Sequence, residues 1–145
     1  MNVVFISPHF PEYYHNFCSR LKDRGVNVLG VGDCPYDMIS DDTKNSLTEY
    51  YYVGSLENYD EVYRACAYFS SHYGKIDWIE SENEYWLELE ATLRRDFNVT
   101  TGPQIQDMRW MKFKSAMKEV YKSAGLKVAD YIKSVSYTHL RAHET

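Results

Sequence analysis

Apolar residues recur along the chain at two alternating spacings. A β-branched run, NVVFIS at 2–7, stops at Pro8 and predicts a buried strand. Tyr14, Phe17, Cys18 and Leu21 then fall at i, i+3, i+4 and i+7, one face of a helix that Gly25 ends. VNVLGVG at 26–32 returns to strand spacing. After a polar stretch with room for one short helix, EYYYVG at 49–54 predicts a third strand. Val62, Cys66, Phe69 and Tyr73 mark a helix closed by Gly74, and KIDWIES at 75–81 a fourth strand. Trp86, Leu89, Leu93 and Phe97 stripe the next helix. NVTTGP at 98–103 reads as a fifth short edge and turn. Trp110, Phe113, Met117, Val120 and Tyr121 lie on one side of a last helix that ends near Gly125.

Strands alternating with helices at this spacing imply βαβ units. The expected fold is α/β: a Rossmann-like open parallel sheet of about four to five strands with flanking helices, then a linker helix. The helical stripes are expected to be core, with Met108, Met111 and Met117 filling gaps.

Composition narrows the class. The formal net charge is −5, from 16 basic and 21 acidic residues, which opposes a nucleic-acid-coating role. Cys18, Cys34 and Cys66 form no CxxC or Cys/His cluster, so reduced, mostly buried thiols are expected rather than a disulfide framework or a metal site. That usage suits the cytoplasm. No apolar run approaches the ~20 residues of a membrane span, and the N-terminus lacks a signal-peptide layout.

In an open parallel sheet, ligands bind beyond the carboxyl ends of the strands. Three loops therefore carry the candidate chemistry. SPHFPEYYHN follows the first strand and opens a helix, whose free amides suit a carboxylate or phosphate. His9 and His15 lie there; His9 is the candidate substrate contact. No GxGxxG or GxxxxGK[ST] pattern is present, so dinucleotide and P-loop sites are excluded at this loop. In GDCPYD, Asp33 reads as a turn former. In ESENE, Ser81 and Glu84 have capping-box spacing, while Glu82 and Glu84 are candidates to face the crevice and contact an amine. Lys112 directly precedes Phe113 on the last apolar stripe. Packing there would fix its base and leave a compact charge for a nucleotide phosphate.

ESENEYWLELEATLRRDFNVTTGP followed by MRWMKFKSAMKEVYKSAGLKVADYI resembles the N-terminal portion of ATP-grasp ligases. The order and spacing of Gly102–Pro103, Lys112, Ala116–Met117 and Gly125–Leu126 carry the resemblance, which covers roughly residues 1–133. It implies a preATP-grasp domain at 1–103, then a linker helix and the start of a truncated ATP-grasp domain at 104–134. It also implies an enzyme that uses ATP and Mg²⁺ to activate a carboxylate as an acyl phosphate for attack by an amine, or less often a thiol. Lys112 matches the linker-helix cation that contacts ATP phosphates. The glycine-rich loop, the second nucleotide lysine and the metal ligands come later in such ligases, so the piece alone is expected to be inactive. Such ligases often form homodimers.

A competing resemblance is to GT-B-type glycosyltransferases, whose opening is similar to residues 1–32, although Tyr13, Tyr14 and His15 stand where those enzymes carry glycines. A flavodoxin-like receiver module ranks last, because Ser7 and Gly54 stand where it needs acidic residues. The closing VSYTHLRAHET, 135–145, resembles the translation of a transposon-type sequencing adapter. It is expected to be non-native and is set aside, His139 and His143 included.

Overall fold

The computed structural model describes residues 1–130; the tail at 135–145 and the end of KVADYI lie outside the described residues. The chain divides into two compact units, Met1–Ile105 and Gln106–Thr145.

The first unit is an α/β domain built on a parallel sheet. β1 (Asn2–Ile6), β2 (Asn27–Gly32), β3 (Glu49–Tyr52) and β4 (Trp78–Glu80) stand in the order β3-β2-β1-β4. Register runs from Asn2 opposite Asn27 to Ile6 opposite Val31, and from Val3 opposite Trp78 to Phe5 opposite Glu80. Both faces are covered, which is why β1 and β2 read as continuous apolar runs. Alternation along each strand sorts the side chains between two cores. Phe5 and Val28 pack with Tyr14 and Cys18 beside α1 (His15–Asp23). Val4, Ile6, Leu29, Val31 and Ile79 pack with Val62, Cys66, Phe69 and Leu93 from α3 (Tyr59–Tyr73) and α4 (Leu87–Asp96). The short helix expected in the polar stretch is α2 (Asp41–Ser46), capped by the Ser40 side chain on the Thr43 amide.

Asn2 locks β4 beside β1. Its buried side chain donates to the Tyr73 and Lys75 carbonyls at 2.9 and 2.8 Å and accepts from Asn27 Nδ2. Cys18 and Cys66 are buried, and all three thiols are free.

Three expectations are corrected. Residues 98–103 form no strand: Asn98 turns to φ 53° and Gly102 to φ 78°, and the Thr101 side chain, not the backbone, bonds the Asp77 carbonyl. Two left-handed residues within five leave no run of extended backbone to pair. Ser81 and Glu84 do not form a capping box. Asn83 caps the turn before α4 through its side chain on the Tyr85 amide. In the second unit the last helix is two, α5 (Met108–Lys112) and α6 (Lys114–Ser123), because Phe113 between them is extended at φ −102°, ψ 115°. Its stripe is not core: Trp110, Phe113, Val120 and Tyr121 are exposed.

Candidate functional site

The strand order reverses beside β1, since β2 lies on one side of it and β4, reached after β3, on the other. Ligands in open α/β sheets bind at the carboxyl ends of the strands next to such a reversal. A crevice of about 500 Å³ lies there, lined by residues from the loops after all four strands. Ser7, His9 and Phe10 follow β1, Asp33 follows β2, Leu56 follows β3, and Asn83, Tyr85 and Trp86 follow β4.

Local backbone builds this wall. Ser7 and Glu82, just beyond β1 and β4, are non-glycine residues at φ 58° and 56°. Such conformations cost stability and persist where surrounding bonds impose them. Ser7 is fixed by its amide on the Val31 carbonyl at 2.8 Å and its hydroxyl on the Phe10 carbonyl at 3.1 Å. Glu82 is fixed by the Tyr14 hydroxyl, which donates to its carbonyl at 2.6 Å. Tyr85 donates to the Glu57 carboxylate, joining the loops after β3 and β4.

His9 and Asp33 form the polar centre, with Nε2 3.3 Å from Oδ1. Gly32 makes the room: a β-carbon there would stand 2.9 Å from His9 Nδ1 and closer still to the Tyr50 hydroxyl. Burial pushes His9 below its usual range, against the opposing pull of Asp33, which leaves the ring neutral at pH 7. The Asp33 contact assigns the ring proton to Nε2 and leaves Nδ1, buried and without a partner, as an acceptor. The crevice thus offers a neutral imidazole, a carboxylate, a side-chain amide and three aromatic rings. That set suits a small polar molecule with an apolar part.

Below the β4 loop lies a buried ionic cluster. Glu90 and Arg94, one turn apart on α4, are 2 % and 1 % exposed. Arg94 donates to the Pro103 carbonyl at 2.7 Å and the Ile79 carbonyl at 2.5 Å, and lies 3.4 Å from the Glu80 carboxylate. Burial raises the Glu80 carboxyl, eased by Arg94 and reinforced by Glu82. Burial raises Glu90 to about 7, eased by Ser81 and then Arg94.

The sequence-derived candidates separate. His9 lines the crevice; Glu82 and Glu84 are exposed and are not among its lining residues. Glu82 instead borders a second hollow of about 260 Å³, with Met1, Val3, Phe17, Leu21, Trp78 and Glu80. Lys112 ends α5 and is exposed, and Phe113 beside it is 60 % exposed. Asp33, read as a turn former, is a partner of His9. Asn83, Tyr85, Glu90 and Arg94 carry no site signal in the sequence, and Trp86 reads there only as part of a helical stripe: asparagine after a strand reads as a turn, and charges on a helix read as a solvated face. Among the described residues, no group of three or more His, Cys, Asp or Glu is placed to hold a metal ion, and no helix is long and apolar enough to cross a membrane.

The fold and crevice define the first unit as an α/β, Rossmann-like domain with a candidate site at the strand ends. No family model matches the chain, and no curated protein matches it in sequence. Among solved structures, it is similar to the crystal structure of an L-amino acid ligase from Bacillus licheniformis, with a TM-score of 0.62 and 14 % identity. The likeness covers 94 % of this chain and 35 % of the ligase, so the chain spans about a third of that protein's length. At that identity, what the two share is the fold.

Proposed function

We propose that this chain is the N-terminal portion of an ATP-dependent carboxylate–amine ligase of the ATP-grasp superfamily, in which the strand-end crevice forms one wall of the substrate site. The observation that carries the reading is a coincidence of independent signals. The sequence cues Gly102–Pro103, Lys112, Ala116–Met117 and Gly125–Leu126 resemble that superfamily in order and spacing. The fold resembles an L-amino acid ligase over nearly the whole chain. The glycosyltransferase alternative receives no support from the comparisons.

In this reading ATP supplies the energy by phosphorylating a carboxylate, and an amine displaces the phosphate. Mg²⁺ would offset the charge of the phosphates. What the described residues can do is position. The Asp33 carboxylate, held by His9 Nε2, accepts a hydrogen bond from a substrate N–H, the Asn83 amide offers donor and acceptor, and Tyr85 and Trp86 pack an apolar portion. Lys112 is the proposed contact to ATP phosphate.

The test is the intact reading frame continued past Ser134. Its product, given ATP, Mg²⁺ and mixtures of carboxylates and amines, should release phosphate only when both substrates are present. Sugar transfer from a nucleotide donor, without phosphate release, would replace this reading with the glycosyltransferase one.

A further inference from the structure

The hollow of about 260 Å³ beside Glu82 shares no lining residue with the strand-end crevice, and the ligase reading gives it no role. It arises from the alternation of side chains across the sheet. Register sets Val3 opposite Trp78 and Phe5 opposite Glu80, so these four side chains share one face. On the other face Ile79 is fully buried among side chains from α3 and α4. On this face α1 covers Phe5, with the Phe17 ring 5.7 Å away, but beside it Trp78 and Glu80 stay half-exposed. The hollow that remains is lined by Val3 and Trp78 from the strands and by Phe17 and Leu21 from α1.

Its two ends differ. Met1, which precedes β1, stands at one end, and Glu80 and Glu82 stand where β4 finishes. Among the described residues, no lysine or arginine side chain lines it. Arg94 lies 3.4 Å from Glu80, yet burial still raises that carboxyl, so a further positive charge beside it is favoured. Glu82 is exposed, on backbone held at φ 56° by the Tyr14 hydroxyl.

We propose that this hollow is a ligand site for a small organic cation, with an ammonium group beside the Glu80 and Glu82 carboxylates and an apolar body against Val3, Phe17, Leu21 and Trp78.

Size and charge together define the class. A dry cavity of about 150 Å³ accommodates benzene, so this larger hollow has room for one ring, or a short alkyl chain, and an amine arm. A carboxylate of the same shape would meet two like charges. Trp78 lies two residues from Glu80 on the same face, and its ring attracts a cation but not a neutral isostere. The ligand is thus an alkyl- or arylalkyl-ammonium ion. The inference stands apart from the ligase reading, and its test involves no nucleotide.

The experiment is an NMR titration of this chain, ¹⁵N-labelled, with phenethylammonium, and in parallel with 2-phenylethanol and phenylacetate as neutral and anionic counterparts. Phenethylammonium should shift the Trp78 indole and the Val3 and Leu21 amides, with a Kd on the order of 1 mM. It should bind about fivefold more tightly than the alcohol, and phenylacetate should not bind. Glu82→Gln, at an exposed position, should weaken the amine about threefold and leave the alcohol unchanged. Should that variant fold poorly, the three wild-type titrations decide alone. Equal affinities for amine and alcohol would show an apolar hollow without charge preference and overturn the proposal. Shifts confined to Ser7, Asn83 and Trp86 would place the amine in the strand-end crevice and overturn it equally, as would the absence of any saturable shift.

Discussion

At the residue scale, the most consequential group is one whose burial works against its charge. Glu90 has an ordinary value of 4.5 and is raised to about 7 in the fold. Below 4.5 folded and unfolded chains both hold the proton. Between 4.5 and 7 the unfolded chain has lost it and the folded chain retains it, so rising pH favours unfolding. Above 7 the penalty is complete, roughly 3 kcal/mol. His9 has the opposite sign: its folded value lies below 6.5, so its contribution rises with pH. Glu49 and Asp96 are lowered, by the hydroxyls of Tyr68 and Tyr73 and by Arg95 with Tyr59, and lose their contribution only at lower pH. Comparing wild type with Glu90→Gln cancels these other groups. The stability difference, read from urea midpoints at pH 5, 6, 7 and 8, should move in favour of the glutamine by about 2.5 kcal/mol across the series. A flat difference would mean that Glu90 is not raised. Gly102 sits against the same cluster. It adopts φ 78°, and a β-carbon there would stand 3.0 Å from the Arg94 guanidinium, so glycine serves both the turn and the cation.

At the element scale, the chain's spacing carried the four strands and the long helices because their signal is one of burial. Val4, Ile6, Leu29 and Val31 repeat every second residue, and Val62, Cys66 and Phe69 fall on one helical face. Where structure depends on single dihedrals, spacing is silent. Phe113 turns extended between α5 and α6, yet the stripe through Trp110, Phe113 and Met117 is unchanged in sequence. The site divides in the same way. The loop after β1 and His9 follow from strand-end logic. The Asp33 partnership and the buried Arg94 do not, since the first joins two loops and the second joins α4 to β4. Caps lie between these extremes. Asn58 accepts from the Glu61 amide to start α3, while the Glu61 carboxylate turns back to the Gly54 and Ser55 amides. Asn58→Ala should destabilise the first unit by about 1 kcal/mol in thermal or urea unfolding. Glycine at the same position should cost only a few tenths. Equal losses for the two would mean that the side-chain cap contributes nothing.

At the scale of the whole molecule, the crevice belongs to one compact unit and Lys112 to the other. Each offers a fraction of what the proposed ligation needs. In that proposal the first unit positions a small polar molecule, and its sequence carries no glycine-rich phosphate-loop pattern. Lys112 brings a flexible point charge, which gains from a phosphate only where other groups already hold the nucleotide. This chain alone should therefore bind ATP weakly, whereas in the completed protein Lys112 should contribute to a formed site. A contact present equally in bound substrate and transition state raises KM when removed and leaves kcat in place. Lys112→Ala in the completed protein should thus raise the KM for ATP about tenfold, with kcat within about twofold. Lys114→Ala, on the first residue of α6, serves as the control for loss of a nearby positive charge. Equal effects from the two lysines would mean general attraction of an anion by a basic helix. An unchanged KM in Lys112→Ala would remove that lysine from the nucleotide site and leave the crevice after β1 and β4 as the part of the proposal still to be tested.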